Sequence, residues 1–389
     1  MNRRDFLRTA AVAPLVSFVP FNLAHAAARW DRILVLIELQ GGNDGLNTVV
    51  PYADPKYAEY RPTIKIGRDR ILQLDERLGL NPELAPMMKL WQSKQLAVVN
   101  GVGYPDPNLS HFRGIDIWHT GTDSNEAATV GWISEVFKHG EAPPVDFAAD
   151  GIVVGRGSVG PLKAPDRRIL VLENGGAAAM NEAKRMAAPA MGGGGNAALA
   201  HVLQTQQSFK MSSAAVLAKN VDKVDPGATF PAGDFGAQLA MAARLLGGGV
   251  QVPVIKATLG GFDTHATQLT DQSPLLNQLG AGIAAFSDAM KKHGLWDRVL
   301  VMTYSEFGRR PRENGSGGTD HGTAAPHFIA GGKVKGGIYG QQPSLTDLED
   351  GQNLTHTTHF RSMYATAAQE WWGIPTPFIK EKPLGLIAT

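Results

Sequence analysis

The residues from Arg298 to Gly332, RVLVMTYSEFGRRPRENGSGGTDHGTAAPHFIAGG, hold a dense set of side chains that bind metals and anions. The run Val299-Leu300-Val301-Met302 reads as a buried strand, and it stops at Ser305-Glu306. A carboxylate therefore stands at the strand's carboxyl end. A Gly- and Arg-rich loop follows, then Asp320-His321 and His327. Carboxylates and imidazoles are ligands for divalent cations, and an open α/β sheet gathers such sites at the carboxyl ends of its strands.

Three earlier segments repeat the arrangement. The apolar run VPVIKATL at residues 252–259 ends in Gly260-Gly261-Phe262-Asp263-Thr264-His265. If the segment stays extended, Asp263 and His265 point the same way and can share an ion. The run ILVLIEL at 33–39 leads to Gln40-Gly41-Gly42-Asn43-Asp44. Asn43 and Asp44 are candidate ligands there, although Asn-Asp-Gly is also a good turn sequence. A third strand at 96–102 leads to Ser110 and His111 just before an expected helix. Ser110 is either a helix N-cap or a nucleophile or oxyanion contact, and both roles are compatible because a helix N-terminus attracts anions.

The elements that must position these residues alternate. Helices are expected at 82–92, 113–119, 131–139, 196–220, 235–246 and 275–293, with further strands at 151–154 and 168–172. Strands that are apolar throughout, separated by amphipathic helices, indicate an α/β fold with a largely parallel central sheet and helices on both faces. Residues 174–196, rich in Gly, read as a flexible insertion within a single domain spanning 27–389. His356 and His359 read as the flank of a late helix, capped by Thr357 or Thr358, and Trp371-Trp372 as packing on the sheet.

The chain's 389 residues carry a formal charge of +1 and no long basic stripe, so no nucleic-acid partner is expected. With Cys 0, any metal site must use His, Asp, Glu or Asn. No GxGxxG follows the first strand, and neither a P-loop nor a G-x-S-x-G elbow is present. Arg3-Arg4-Asp5-Phe6-Leu7-Arg8, a short apolar run and Ala24-His25-Ala26 form a twin-arginine export signal over residues 1–26. The twin-arginine translocation machinery is thus an expected partner, the periplasm or extracellular space the expected location, and no membrane span is expected after cleavage.

Together, the twin-arginine start, LIELQGGNDGLNTVVPY, NLSHFRGIDIWHTG, GGFDTHATQ, the opening stretch and the late FRSMYAT resemble the exported proteins of domain-of-unknown-function family 1501. The resemblance implies an alkaline phosphatase/sulfatase-like fold with a metal site at the carboxyl edge of the sheet. It likens Asp44 to the first-strand metal ligand, Ser110 to the nucleophile, Asp263 and His265 to the Asp…His pair of a second metal, and His321 to a late histidine ligand. Asp320 and His327 could supplement His321. Phe307 stands where such phosphatases carry a histidine, and only Thr264 separates Asp263 from His265.

On this view Asp263, His265 and His321 form one three-ligand site with an open position. Asp44, Asn43 and Glu306 form an oxygen-rich second site suited to Mg, Mn or Ca rather than Zn. Arg309, with Arg310 and Arg312 nearby, is expected to hold a phosphate or sulfate oxygen. The expected function is hydrolysis of a small-molecule or glycan phosphate or sulfate ester, using a divalent metal, Ser110, His111 and Arg309. The alternative is a metal-stabilised binding or assembly protein that has lost catalysis.

Overall fold

The structure, a computed structural model, describes residues 27–173, 211–216 and 218–388. The expected export signal at 1–26, the Gly-rich insertion at 174–196 and most of the expected 196–220 helix lie outside the described residues, although residues 211–216 are helical.

Elements that carry the site follow in chain order. Strand β1 is Ile33–Gln40, β2 Leu96–Gly103, β3 Gly151–Val154, β4 Ile169–Leu172, β5 Val254–Gly260 and β6 Val299–Tyr304. After these come β7 Gly308–Glu313, β8 Thr319–Gly322, β9 Ala325–Gly331, β10 Gly337–Tyr339 and β11 Thr358–His359. The helices are α1 Gly45–Thr48, α2 His111–Thr120, α3 Trp132–His139, α4 Asp234–Gly247, α5 Gln268–Lys292 and α6 Phe360–Ala365.

Among the described residues the main sheet has nine strands, running β10-β2-β9-β6-β1-β5-β3-β4, with β11 also pairing β2. All pairings are parallel except those of β9, which runs antiparallel to both β2 and β6. The fold is therefore α/β with a largely parallel sheet. β1 sits at its middle, with β5 on one side and β6 on the other.

The apolar strands follow from burial on both faces. Val35, Ile37 and Leu39 of β1 join Phe235 and Leu239 of α4 and Leu276, Ile283 and Phe286 of α5 in one core. Leu34 and Leu36 face the other way, into a core with Ile117 and Trp118 of α2, Trp132 and Ile133 of α3, and Phe360 of α6. Trp371 and Trp372 belong to this second core, and their indole N–H groups donate to Ile33 and Arg32 carbonyls at the start of β1. Their chain leaves the helix at Gly373, whose φ of 77° suits glycine.

Several boundaries differ from the sequence reading: residues 82–87 form a 3-10 helix that becomes an α-helix at Met88, and α2 begins at His111 where 113 was expected. Helix α5 begins at Gln268, before the expected start at 275, and carries Pro274 inside. The extra turns are held because buried Gln268 and Gln272 hydrogen-bond the Asn43-Asp44 turn. The cap of α6 is His359, whose Nδ1 accepts the Arg361 amide, in place of a threonine.

A charged group is buried beneath α2. Glu38 of β1 pairs with Lys256 of β5 at 2.6 Å and accepts the Tyr304 hydroxyl at 3.0 Å, and His119 lies 3.5 Å away. Burial raises the Glu38 pKa, but His119 and Lys256 outweigh it and hold the carboxyl at about 2.

Candidate metal centre

The carboxyl ends of β2, β1, β5 and β6 meet at one edge of the sheet. After β6 the chain does not enter a helix but turns into the β7–β8 hairpin, in which Arg309 pairs with His321. The hairpin leans on the loop after β5. Asn314 Nδ2 donates to the His265 carbonyl at 2.9 Å, and the Thr319 amide donates to the Thr264 carbonyl at 3.2 Å. A side chain at Gly318 would meet the His265 backbone at 2.3 Å, so only glycine permits this approach.

Asp263 and His265 point to the same side as expected, with Thr264 buried between them. His321 reaches them from the hairpin and His111 from the first turn of α2. His265 Nε2 lies 2.9 Å from His321 Nε2, and each lies 3.1 Å from Asp263 Oδ1. His111 Nε2 is 3.3 Å from Asp263 Oδ2. The ligand atoms of His111, Asp263 and His321 all fall within 4.8 Å of one another.

Each of the three rings has an outer acceptor at Nδ1. His111 Nδ1 meets Glu306 Oε1 at 2.8 Å, His321 Nδ1 meets the Leu109 carbonyl at 2.8 Å, and His265 Nδ1 lies 3.5 Å from Asp320 Oδ1. The short contacts at His111 and His321 assign their ring protons to Nδ1 and leave those Nε2 lone pairs turned toward Asp263. The His265 and His321 Nε2 atoms, 2.9 Å apart, are compatible with a hydrogen bond from a proton on His265 or with a cation held between two lone pairs. Around an ion bound at 2.0–2.1 Å, tetrahedral ligands sit about 3.3 Å apart, close to the separations present here. The donor set, three imidazoles and one carboxylate, fits a zinc-class cation.

Asp263 is held as an anion. Partial burial raises its pKa, but the Arg309 guanidinium, hydrogen-bonded at 2.6 Å, with His321 and His111 close by, brings it down to about 2. The His321 pKa is lowered, by burial first and then by Arg309 and His111, with Leu109 and Asp263 opposing. A neutral imidazole is the form that ligates.

The structure brings His111, Asp263, His265 and His321 into one cluster, with Glu306 and Asp320 directly behind them. It does not bring Asp44, Asn43 or His327 there. Both Asp44 oxygens are engaged by the buried Arg61, and Gln268 and the Leu46 amide take the remaining positions. Asn43 is bonded to Thr48 and Gln272. No acceptor is left for an oxygen-rich second ion, so these two residues anchor the turn. Glu306 is likewise filled, by His111, the Gly41 amide at 2.9 Å and the Ser305 hydroxyl, which makes it an orienting group and not a direct ligand. His327 is buried against Trp118, and burial lowers its pKa to about 3.

Arg309 also differs from its expected role. It is 1% exposed, and its donors go to the Gly42, Thr319, Gly41 and Phe262 carbonyls and to Asp263. Four of its five N–H groups are taken and the side chain is buried, so Arg309 positions Asp263. Phe307 packs its ring against His111 and His321, at centroid distances of 4.9 and 4.5 Å. Ser110 holds the N-cap position of α2 between Leu109 and His111. Its side chain is exposed and caps no amide.

Three features escaped the sequence reading. His111 is a fourth candidate ligand, signalled only by its following a strand end. Arg61 and Gln268 seal Asp44, with no local signal. The Glu38–Lys256 pair did leave one, a single charge inside each of two apolar runs. A cavity of about 760 Å³ opens along the same sheet edge beside Gln40, Thr258 and Gly260, and shares no lining residue with the cluster.

Residues 79–372 match the family model described as "Protein of unknown function (DUF1501)". No curated protein matches the chain. Among solved structures, it is similar to the lipoteichoic acid synthase LtaP from Listeria monocytogenes, with 9% identity, 91% of this chain and 74% of that chain covered and a TM-score of 0.40. It is similar to the C-terminal periplasmic domain of EptC from Escherichia coli, with 9% identity, coverage of 90% and 84% and a TM-score of 0.43. A third likeness is to alkaline phosphatase from the Antarctic bacterium TAB5, with 14% identity, coverage of 81% and 95% and a TM-score of 0.30.

Proposed function

We propose that this chain, which belongs to the DUF1501 family, is an exported metal-dependent hydrolase of phosphate or sulfate esters in the alkaline phosphatase/sulfatase superfamily. The observation that carries the reading is the convergence of three Nε2 atoms on Asp263, each ring with an acceptor at Nδ1. A site with these four ligands serves catalysis when the ion takes a fifth ligand from water or substrate, and the Asp263 side chain, 46% exposed, lies open to solvent for this.

His111, Asp263, His265 and His321 would hold the ion, and Glu306, Asp320 and the Leu109 carbonyl would keep the rings in register. The chemistry these residues would supply through a bound divalent cation would be polarisation of an ester oxygen and a lowered pKa for a coordinated hydroxyl. Ser110 is the proposed nucleophile. In phosphoryl transfer a bond forms from Ser110 Oγ to phosphorus and the ester P–O bond breaks. The alcohol leaves with the serine proton, and water then returns the serine. The free amides at the start of α2 favour the anionic group at this position. Among the described residues no helix is long and apolar enough to cross a membrane. Release into the periplasm or outside the cell after twin-arginine export is the proposed location.

A second reading, a metal-stabilised binding protein without catalysis, has support of its own. Arg309 is consumed by backbone carbonyls, and Phe307 fills space beside two ligands. The two readings separate in one experiment. The chain from residue 27 onward, purified and assayed for bound metal, should carry a divalent ion and hydrolyse p-nitrophenyl phosphate or sulfate, and Ser110→Ala should abolish turnover while keeping the metal. Metal with no hydrolysis of either ester leaves the binding reading, and a protein that takes up no metal ends both.

A further inference from the structure

The charged cluster beneath α2 has a geometry that packing alone does not require. Three groups converge on one oxygen, Glu38 Oε2: Lys256 Nζ at 2.6 Å, the Tyr304 hydroxyl at 3.0 Å and His119 Nε2 at 3.5 Å. His119 Nε2 also lies 3.3 Å from the Tyr304 hydroxyl, and Lys256 Nζ donates to Thr258 Oγ1 at 3.1 Å. Glu38, Lys256, Tyr304 and His119 come one each from β1, β5, β6 and α2. These are the elements whose ends build the metal centre. Helix α2 carries His111, and the loop after β5 carries Asp263 and His265. The turn after β6 carries Glu306 and leads into the hairpin of His321, while the Gly41 amide after β1 holds Glu306.

We infer that Glu38, Lys256, Tyr304 and His119 are positioning residues for the metal centre, fixing α2 and the three strands in the register that its ligands need. The inference rests on the metal-binding reading of that centre. A buried ion pair is a poor source of stability, since apolar side chains of similar volume are often as stable or more so. What it supplies is direction. Hydrogen bonds hold donor and acceptor at about 2.7–3.2 Å along preferred angles, whereas hydrophobic contact is non-directional and lets surfaces slide. A ligand constellation tolerates only about 0.5 Å of misplacement. His111 and His119 stand about two turns apart on α2, so a shift of the helix at His119 is carried to His111.

The cluster is also largely closed to water, which would loosen it. Lys256 is fully buried, and Glu38 and Tyr304 nearly so. The segment after β3 covers it at two glycines. A side chain at Gly157 would meet Thr258 Oγ1 at 2.8 Å, and one at Gly160, where φ is 46°, would meet His119 Nε2 at 2.8 Å. In such a setting the attraction between Lys256 and Glu38 is stronger than in water.

The test compares two double variants of the chain from residue 27 onward. The first, Glu38→Leu with Lys256→Leu, removes the polar cluster at similar volume. The second, Glu38→Gln with Lys256→Met, removes the charges but keeps an acceptor for Tyr304 and His119. Each is read by zinc competition against a chelator, by the absorption spectrum of the cobalt-loaded protein, and by the urea midpoint of the metal-free protein. The first should weaken zinc binding at least tenfold and alter the cobalt spectrum while its urea midpoint stays near the parent's. The second should bind zinc within threefold of the parent and keep its cobalt spectrum, a rescue that a merely structural role does not produce. Tyr304→Phe, which deletes one hydroxyl, should weaken zinc binding severalfold, and it carries the test if the first variant does not fold. The inference is overturned if the first variant, or Tyr304→Phe in its place, binds zinc within twofold of the parent, or if the second loses as much affinity as the first. A parent that takes up no metal ends the reading of the metal centre itself, and this inference with it.

Discussion

Two acidic residues at neighbouring strand ends, Glu306 and Asp44, invite a direct contest. Each is buried, and the family resemblance favours Asp44 as the ligand, whereas the geometry ties Glu306 to the metal centre and Asp44 to Arg61. In Glu306→Gln the amide oxygen still accepts from the Gly41 amide and from His111, and the new N–H₂ faces Ser305. Shape is kept while the charge behind His111 is lost. Loss of such an outer partner costs about 10–100-fold in metal affinity, or about 1.4–2.8 kcal/mol. In Asp44→Asn the metal is untouched, but Arg61 keeps its charge with only the Asn47 side chain and the Pro311 and Arg310 carbonyls around it. Breaking a buried pair in this way costs about 3–5 kcal/mol of stability. Zinc competition against a chromophoric chelator gives the first quantity, and the urea midpoint of the metal-free protein gives the second. The assignment fails if Asp44→Asn weakens zinc binding tenfold while Glu306→Gln leaves it within twofold.

Three further outcomes are expected. Glu38→Leu should lower unfolding free energy by about 3–5 kcal/mol because Lys256 is left buried and unpaired, and adding Lys256→Leu should recover most of the loss in the same urea titration. Acid sensitivity should have two parts. His327 has a folded pKa of about 3, below the ordinary 6.5, so the unfolded chain takes its proton first and stability falls as pH drops below 6.5; Glu38, at about 2 against 4.5, adds a loss only below pH 4.5. His327→Phe should therefore flatten the stability curve between pH 6.5 and 4.5, by up to about 1.4 kcal/mol per pH unit, and an unchanged slope there would remove His327 as its cause. Gly42→Ala should both destabilise and loosen the metal site, because φ is 75° and the added carbon meets the Phe307 ring at 2.4 Å; equal zinc affinity in the variant would count against Phe307 as a brace.

The apolar runs and the glycine pairs announce the central strands because burial on both faces permits little else, and polar residues just past each run mark the working edge. Asp263, His265 and His321 are visible on that basis. Roles among the buried charges are not, because they depend on partners far away in sequence. Asp44 meets Gln268 across 224 positions, and Arg309 meets Gly42 across 267. An arginine buried among backbone carbonyls and a neighbouring carboxylate reads in sequence like one that waits for an anion. His111 was visible as a site residue but not as a ligand, since only its distance to Glu306 reveals which nitrogen is free.

The reversed strand β9 bears on how the molecule comes into being. Strand β2 borders β9, β10 and β11, all supplied by residues after 324, and the β1 neighbours come from residues after 253. The His321 bond to Leu109 spans 212 positions. At roughly 5–20 residues per second of synthesis, that is roughly ten to forty seconds in which β2 has no partner. Such long-range pairing makes the sheet slow to close. A chain arrested before β9 leaves β2 an exposed apolar edge and the four ligands unassembled, so C-terminal truncations should aggregate rather than yield a smaller working protein.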